Sequence, residues 1–135
     1  MGISPLYVAA MYGRYDTCIF LIEHGARVDM KVWDDLTPLH AAARYGRKEV
    51  CELLIRCGSN VNIQATDGNT PLHCAACNNM FDVCVLLLSK GANISMTNNH
   101  TETPLVLARR FSDLRTVNLL RPQIDESTHS SCATV

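Results

Sequence analysis

The sequence has almost no net charge, no long apolar run and none of the short motifs of catalysis. Its 12 Lys and Arg against 13 Asp and Glu leave a formal charge of −1. No basic excess therefore points to nucleic acid or to an anionic membrane. An unbroken apolar run such as Val83 to Leu88 falls far short of the roughly 20 residues that a membrane-spanning helix needs. The first residues lack a basic stretch followed by an apolar core, so no secretory signal is read. No Gly-rich phosphate loop, nucleophile elbow or H-E-x-x-H occurs, and the five histidines form no catalytic set. An enzyme has no residues to stand on here, and no cofactor is expected.

Cysteine is plentiful instead. Seven is a high count and an odd one, which in a secreted chain would suggest disulfides with one thiol left over. Without a leader, the reading is a cytoplasmic chain, also compatible with the nucleus, whose thiols are small buried hydrophobes.

The chain repeats itself, which settles how the cysteines are read. Ser4-Pro5-Leu6-Tyr7 returns as Thr37-Pro38-Leu39-His40, then as Thr70-Pro71-Leu72-His73, then as Thr103-Pro104-Leu105-Val106. The starts at 4, 37, 70 and 103 are each 33 residues apart. Ala9, Ala42, Ala75 and Ala108 keep the same register, as do Leu21, Leu54, Leu87 and Leu120. Gly25, Gly58 and Gly91 align, but Ile124 takes the fourth place, so the last copy decays after Leu120.

Each unit reads as two short helices. Ser or Thr before Pro starts the first: the hydroxyl accepts from a free backbone N–H, and Pro is tolerated at the first helical position. Gly13, Gly46 or Asn79 can adopt a left-handed conformation and end it. The second helix opens with Asp16, Glu49 or Asp82 near its positive end and runs to the next glycine. A polar, extended stretch and a turn such as Asp67-Gly68-Asn69 lead into the following unit.

A unit of this length opening T-P-L-H-x-A resembles the ankyrin repeat, over residues 1 to about 121. The resemblance implies an all-α solenoid of helix-turn-helix units joined by β-turn, hairpin-like loops. Residues 1–33, 34–66 and 67–99 are three repeats, 100–121 a degenerate capping repeat and 122–135 a disordered tail. It also implies that Thr37, Pro38 and His40, and Thr70, Pro71 and His73, bond within and between repeats. Tyr7 and Val106 break the motif, so that network should weaken at both ends.

The cysteines then change meaning. Cys18, Cys51 and Cys84 are one position copied three times, read as a small hydrophobe between repeats and, given the stacking that the family implies, too far apart for disulfides. Cys74-Ala75-Ala76-Cys77 matches C-x-x-C but lacks the second pair that zinc would want and the strand-to-helix context of a redox motif. Cys57 and Cys132 are single and expected near the surface.

Repeat arrays bind on an extended concave surface. In the ankyrin family this comprises the turn tips and the inward side of the first helices. Register places Met11, Tyr12, Arg44, Tyr45, Asn78, Arg110 and Phe111 at the helix sites, and Lys31, Trp33 and Leu36 at the first turn. Trp33 is the single Trp, and Trp, Tyr and Arg are the types enriched at binding hot spots. The expectation is a protein-binding patch centred on Trp33, Tyr12 and Tyr45; the alternative is a Trp33 folded back on its own turn. Asn62 matches a position sometimes hydroxylated in the family, with Leu54 eight residues upstream.

The first copy has no visible cap, and residues upstream of Met1 are expected in a longer protein. The last copy looks like a cap, with Arg109, Arg115 and Asn118 on it and Arg121-Pro122 stopping its final helix. The function read from all this is a non-enzymatic, monomeric protein-interaction module or adaptor. The alternative is a fragment of a ubiquitin-ligase substrate receptor, because the stretch Trp33 to Ala43 is similar to repeats in the ankyrin/SOCS-box group; the ligase-recruiting box itself is absent from this sequence.

Overall fold

A computed structural model describes residues 2–122. Cys132, His129 and residues 123–135 of the expected tail lie outside the described residues. Among those described there are eight α-helices and no strands, and no helix is long and apolar enough to cross a membrane.

The helices pair as the period requires: α1 (Pro5–Met11) with α2 (Tyr15–Glu23), α3 (Pro38–Arg44) with α4 (Lys48–Arg56), α5 (Pro71–Cys77) with α6 (Phe81–Ser89), and α7 (Pro104–Phe111) with α8 (Leu114–Leu120). Each is too short to persist alone in water, so packing must hold it. The odd-numbered helices form one row, each against the next, and the even-numbered helices form a second row behind them.

Starts and stops follow the sequence. The Ser4, Thr37, Thr70 and Thr103 hydroxyls each accept from the backbone N–H three residues on. Gly13, Gly46 and Asn79 take φ of +70°, +72° and +57° and turn the chain into the second helix. Ser112, fourth in that register, is extended instead, and Asp113 caps α8 through its carboxylate.

The core lies between the two rows. Leu39, Leu54, Leu72 and Leu87 are buried among Ala42, Ala43, Ala75 and Ala76, and Cys18, Cys51 and Cys84 are fully covered. Burial pushes the Cys51 and Cys84 thiols up to about 12. They act as hydrophobes with little thiolate to offer.

Between units the chain folds into tight loops closed by one backbone pair each. Val32 N–H donates to Leu36 O at 2.8 Å, Ala65 to Asn69 at 2.9 Å and Asn98 to Glu102 at 3.0 Å. The tips are joined as well: Thr66 N–H donates to Asp34 O at 2.8 Å and Asn99 N–H to Asp67 O at 2.9 Å. The first tip is a 3₁₀ turn over Trp33–Asp35, where Asp34 and Asp35 take φ of +57° and +58°.

Candidate protein-binding surface and the repeat scaffold

Two histidines set the spacing of the surface. Thr37 N–H donates to His40 Nδ1 at 3.2 Å, the Thr37 hydroxyl lies 2.9 Å from the same nitrogen, and His40 N–H donates back to Thr37 Oγ1 at 3.4 Å. With Nδ1 accepting, the ring proton sits on Nε2, which donates to Asn69 O of the next repeat at 2.9 Å. Thr70 and His73 repeat the arrangement, with His73 Nε2 donating to Glu102 O at 2.9 Å. Both rings are buried, and burial is the main reason their pKa values fall below the ordinary histidine value. At the ends only the cap survives: Tyr7 N–H on Ser4 at 3.4 Å and Val106 N–H on Thr103 at 3.3 Å. Pro38 and Pro71 are buried at the start of the inner first helices.

The chain is matched over residues 1–65 and 49–129 by a family model for ankyrin repeats, three copies. The chain belongs to the ankyrin-repeat family. A comparison with curated proteins finds no match. In the ankyrin array described above, the first helices and the loop tips form continuous rows, which is where repeat proteins place their contacts with partners.

Most of the surface residues read from register are exposed. Tyr12 is 57%, Trp33 53%, Tyr45 43% and Phe111 54% accessible, which is high for large apolar side chains. Lys31, Arg44, Asn78 and Arg110 are exposed too. Tyr12, Tyr45, Asn78 and Phe111 share one register position at the end of the first helix, so three of four copies present an aromatic there. Arg44 lies 5.6 Å from the Tyr45 ring centre and Arg110 5.6 Å from that of Phe111, within cation–π reach.

Some expectations need correction. Leu36 is not an open tip residue; it is half-buried, because its carbonyl closes the Val32 loop and its N–H returns to Trp33 O. Met11 is half-buried as well, and its carbonyl accepts from Arg47 Nε at 3.0 Å. Arg110 is exposed but tied down by the Glu102 carboxylate at 2.8 Å. The Asn98 amide and the Arg110 guanidinium together hold Glu102 below the usual carboxylate range. Asn78 donates to its own helix at Cys74 O, 2.8 Å away. Cys74 is half-buried, with its thiol pushed by burial to about 12.

Several side-chain bridges between repeats were missed by reading the sequence alone. Asn62 accepts from Asn93 N–H at 2.8 Å and donates to Gly91 O at 3.3 Å, so it bridges two repeats. Asn98 accepts from the N–H groups of His100 and Glu102 and donates to Asn69 at 2.9 Å. Asn79 accepts from Asp113 N–H and the Thr116 hydroxyl. Their register was visible, but side-chain amides suit many roles, and only the partner 29 to 37 residues away decides which one is played.

Proposed function

We propose that this chain is a non-enzymatic interaction module that binds a protein partner on the surface made by its turn tips and first helices, with Trp33, Tyr12 and Tyr45 at the centre. The observation that carries this reading is the exposure of those aromatics, 57%, 53% and 43% for Tyr12, Trp33 and Tyr45. Large rings left in water cost free energy that binding recovers. Arg44 and Lys31 border the patch with positive charge; Met11 and Leu36 support it from below, and Asn78, Arg110 and Phe111 extend it along the row. The reading includes a monomeric chain working in the cytoplasm or nucleus. Nothing among the described residues favours the ligase-receptor alternative.

Affinity purification from cells with the intact chain and with Trp33→Ala/Tyr45→Ala tests it. The double variant should keep its thermal midpoint and lose most of the recovered partner. If the same protein returns in the same amount, the patch is not the binding site. Hydroxylation of Asn62 remains a proposal of its own. Its signature is a one-oxygen mass increase on the Asn62 peptide of protein isolated from cells, and an unmodified peptide refutes it.

A further inference from the structure

The one ion pair among the described residues joins Arg110 to Glu102 at 2.8 Å. It is built from two register positions. Glu102 stands where the loop closes, its carbonyl accepting from Asn98 N–H. Arg110 lies eight residues on, in the last turn of the first helix of its unit. The Asn98 side-chain amide donates to the same carboxylate at 3.1 Å. An arginine set at this point of the scaffold thus takes a carboxylate.

Arg44 holds the same register in the second repeat, and its setting matches. It lies in the last turn of α3 as Arg110 lies in that of α7, and each guanidinium stands 5.6 Å from the ring of the next residue, Tyr45 or Phe111. The loop ahead matches too, since Val32 N–H donates to Leu36 O as Asn98 N–H donates to Glu102 O. The side chains of that loop do not match. Leu36 stands in the place of Glu102, and Val32 in that of Asn98. Val32 is buried and Leu36 half-buried, and neither side chain can accept a hydrogen bond. Arg44 is exposed and has no ion pair among the described residues. In the third repeat Asn69 and Cys77 hold the two positions, without charge on either. Arginine's fork of donors fits a carboxylate through two parallel bonds, and at Arg44 the chain holds only the donor half.

We infer that Arg44 is the anion-reading point of the proposed patch: it takes a carboxylate from an acidic side chain of the protein partner, in the place that Glu102 fills beside Arg110. This rests on the partner binding at Trp33, Tyr12 and Tyr45. Charge argues for a carboxylate over a phosphoryl group. One guanidinium balances one negative charge, whereas a phosphoryl group carries roughly −2, and the loop leading into α3 already holds Asp34 and Asp35. The contact selects among partners: one that presents a cation or an apolar group at this point leaves Arg44 covered and unpaired.

The test selects a displayed library of random peptides on the full chain and measures the consensus peptide against variants. Peptides that the Trp33→Ala/Tyr45→Ala chain no longer holds should share an aligned Asp or Glu. Replacing that acid by its amide should weaken binding about fivefold or more. Arg44→Gln should weaken it as much, and the two changes together should cost no more than either, which marks them as one contact. Arg44 is exposed, so Arg44→Gln should keep its thermal midpoint within about 1 °C. Leu36→Glu builds the pair within the chain and should remove the preference for the acid. Peptides with no shared acid, losses that add, or a preference kept in Leu36→Glu overturn the inference and leave the aromatic patch standing. A selection that returns no peptide, or only peptides indifferent to Trp33 and Tyr45, overturns both. If Asp125→Asn/Glu126→Gln strengthens the consensus peptide about fivefold or more, the chain's own acidic pair is the occupant, and a partner carboxylate is overturned.

Discussion

In the second repeat, Thr37 is bonded to His40 through both its amide and its hydroxyl, and His40 reaches on to Asn69 of the third. In the first repeat Ser4 caps its helix alone, and Tyr7 occupies the histidine's place. The helices look the same from either start. The difference is that an inner repeat spends its cap twice, once to begin a helix and once to fix the distance to its neighbour. An outer repeat has only the first use. Local structure in this ankyrin chain is therefore uniform, while coupling between units is concentrated in the middle.

The largest effect should come from the shared leucine position. Leu54→Ala empties a site with no exposure and should cost about 3–5 kcal/mol in chemical denaturation. Leu21→Ala, in the same register but half-buried, should cost well under half as much. Equal losses would mean that the first repeat is as tightly closed as the second.

The histidines come next. His73→Ala leaves the Thr70 amide and the Glu102 carbonyl without partners and should cost about 2–3 kcal/mol, whereas Tyr7→Ala should cost less. Titration gives an independent check. Both imidazoles have folded pKa values lowered from 6.5, chiefly by burial. As the pH falls, the unfolded chain takes up protons first. Their contribution is thus complete above about pH 6.5, declines as pH falls from there toward the lowered folded values, and is gone below them. Urea midpoints measured from pH 8 to pH 5 should be flat and then fall, and the fall should shrink in His40→Gln/His73→Gln.

The turn between the second and third repeats gives a smaller effect. Gly68 has φ of +84°, and a Cβ there would meet Asn99 N at 2.8 Å and Asn98 Cα at 2.9 Å, both backbone. Gly68→Ala should cost about 1–3 kcal/mol. Thr101 holds the same register in the next loop with φ of +59°, unfavourable for a β-branched residue. Thr101→Gly should gain about 0.5–1 kcal/mol by thermal melting, the smallest of these changes and the only one that stabilises.

Repetition made much of this legible beforehand. Four aligned copies act as their own comparison, so the helix starts and the buried cysteine position could be placed from register, while the Thr–His pairing followed from the resemblance to the ankyrin repeat. The decay at Ile124 and the loss of the motif at Tyr7 and Val106 marked the outer repeats in the same way. What register could not supply were contacts that depend on a side chain's reach. Arg47 and Met80 share a position, yet one bonds a carbonyl and the other only packs against Gly46. Nor does composition signal that Asp34 and Asp35 both turn left-handed, since aspartate adopts that region only sometimes. Register places Leu36 at the tip, and a loop closed by its own carbonyl is not visible in residue types. The exposed aromatics were legible as positions, and how far each is open to solvent is set by the fold.

The bonds between loop tips, Thr66 to Asp34 and Asn99 to Asp67, bear on how the molecule yields under load. At each of these two contacts a few hydrogen bonds join the loops, His40 to Asn69 and Asn98 to Asn69 among them, with helix packing behind them. Opening the rim stretches bonds worth about 1 kcal/mol net each, while sliding one unit past another would have to lift Leu54 or Leu87 from contact. The stack should behave as a leaf spring: its length and register are stiff, and its curvature is the soft coordinate along which it can fit itself to whatever it grips.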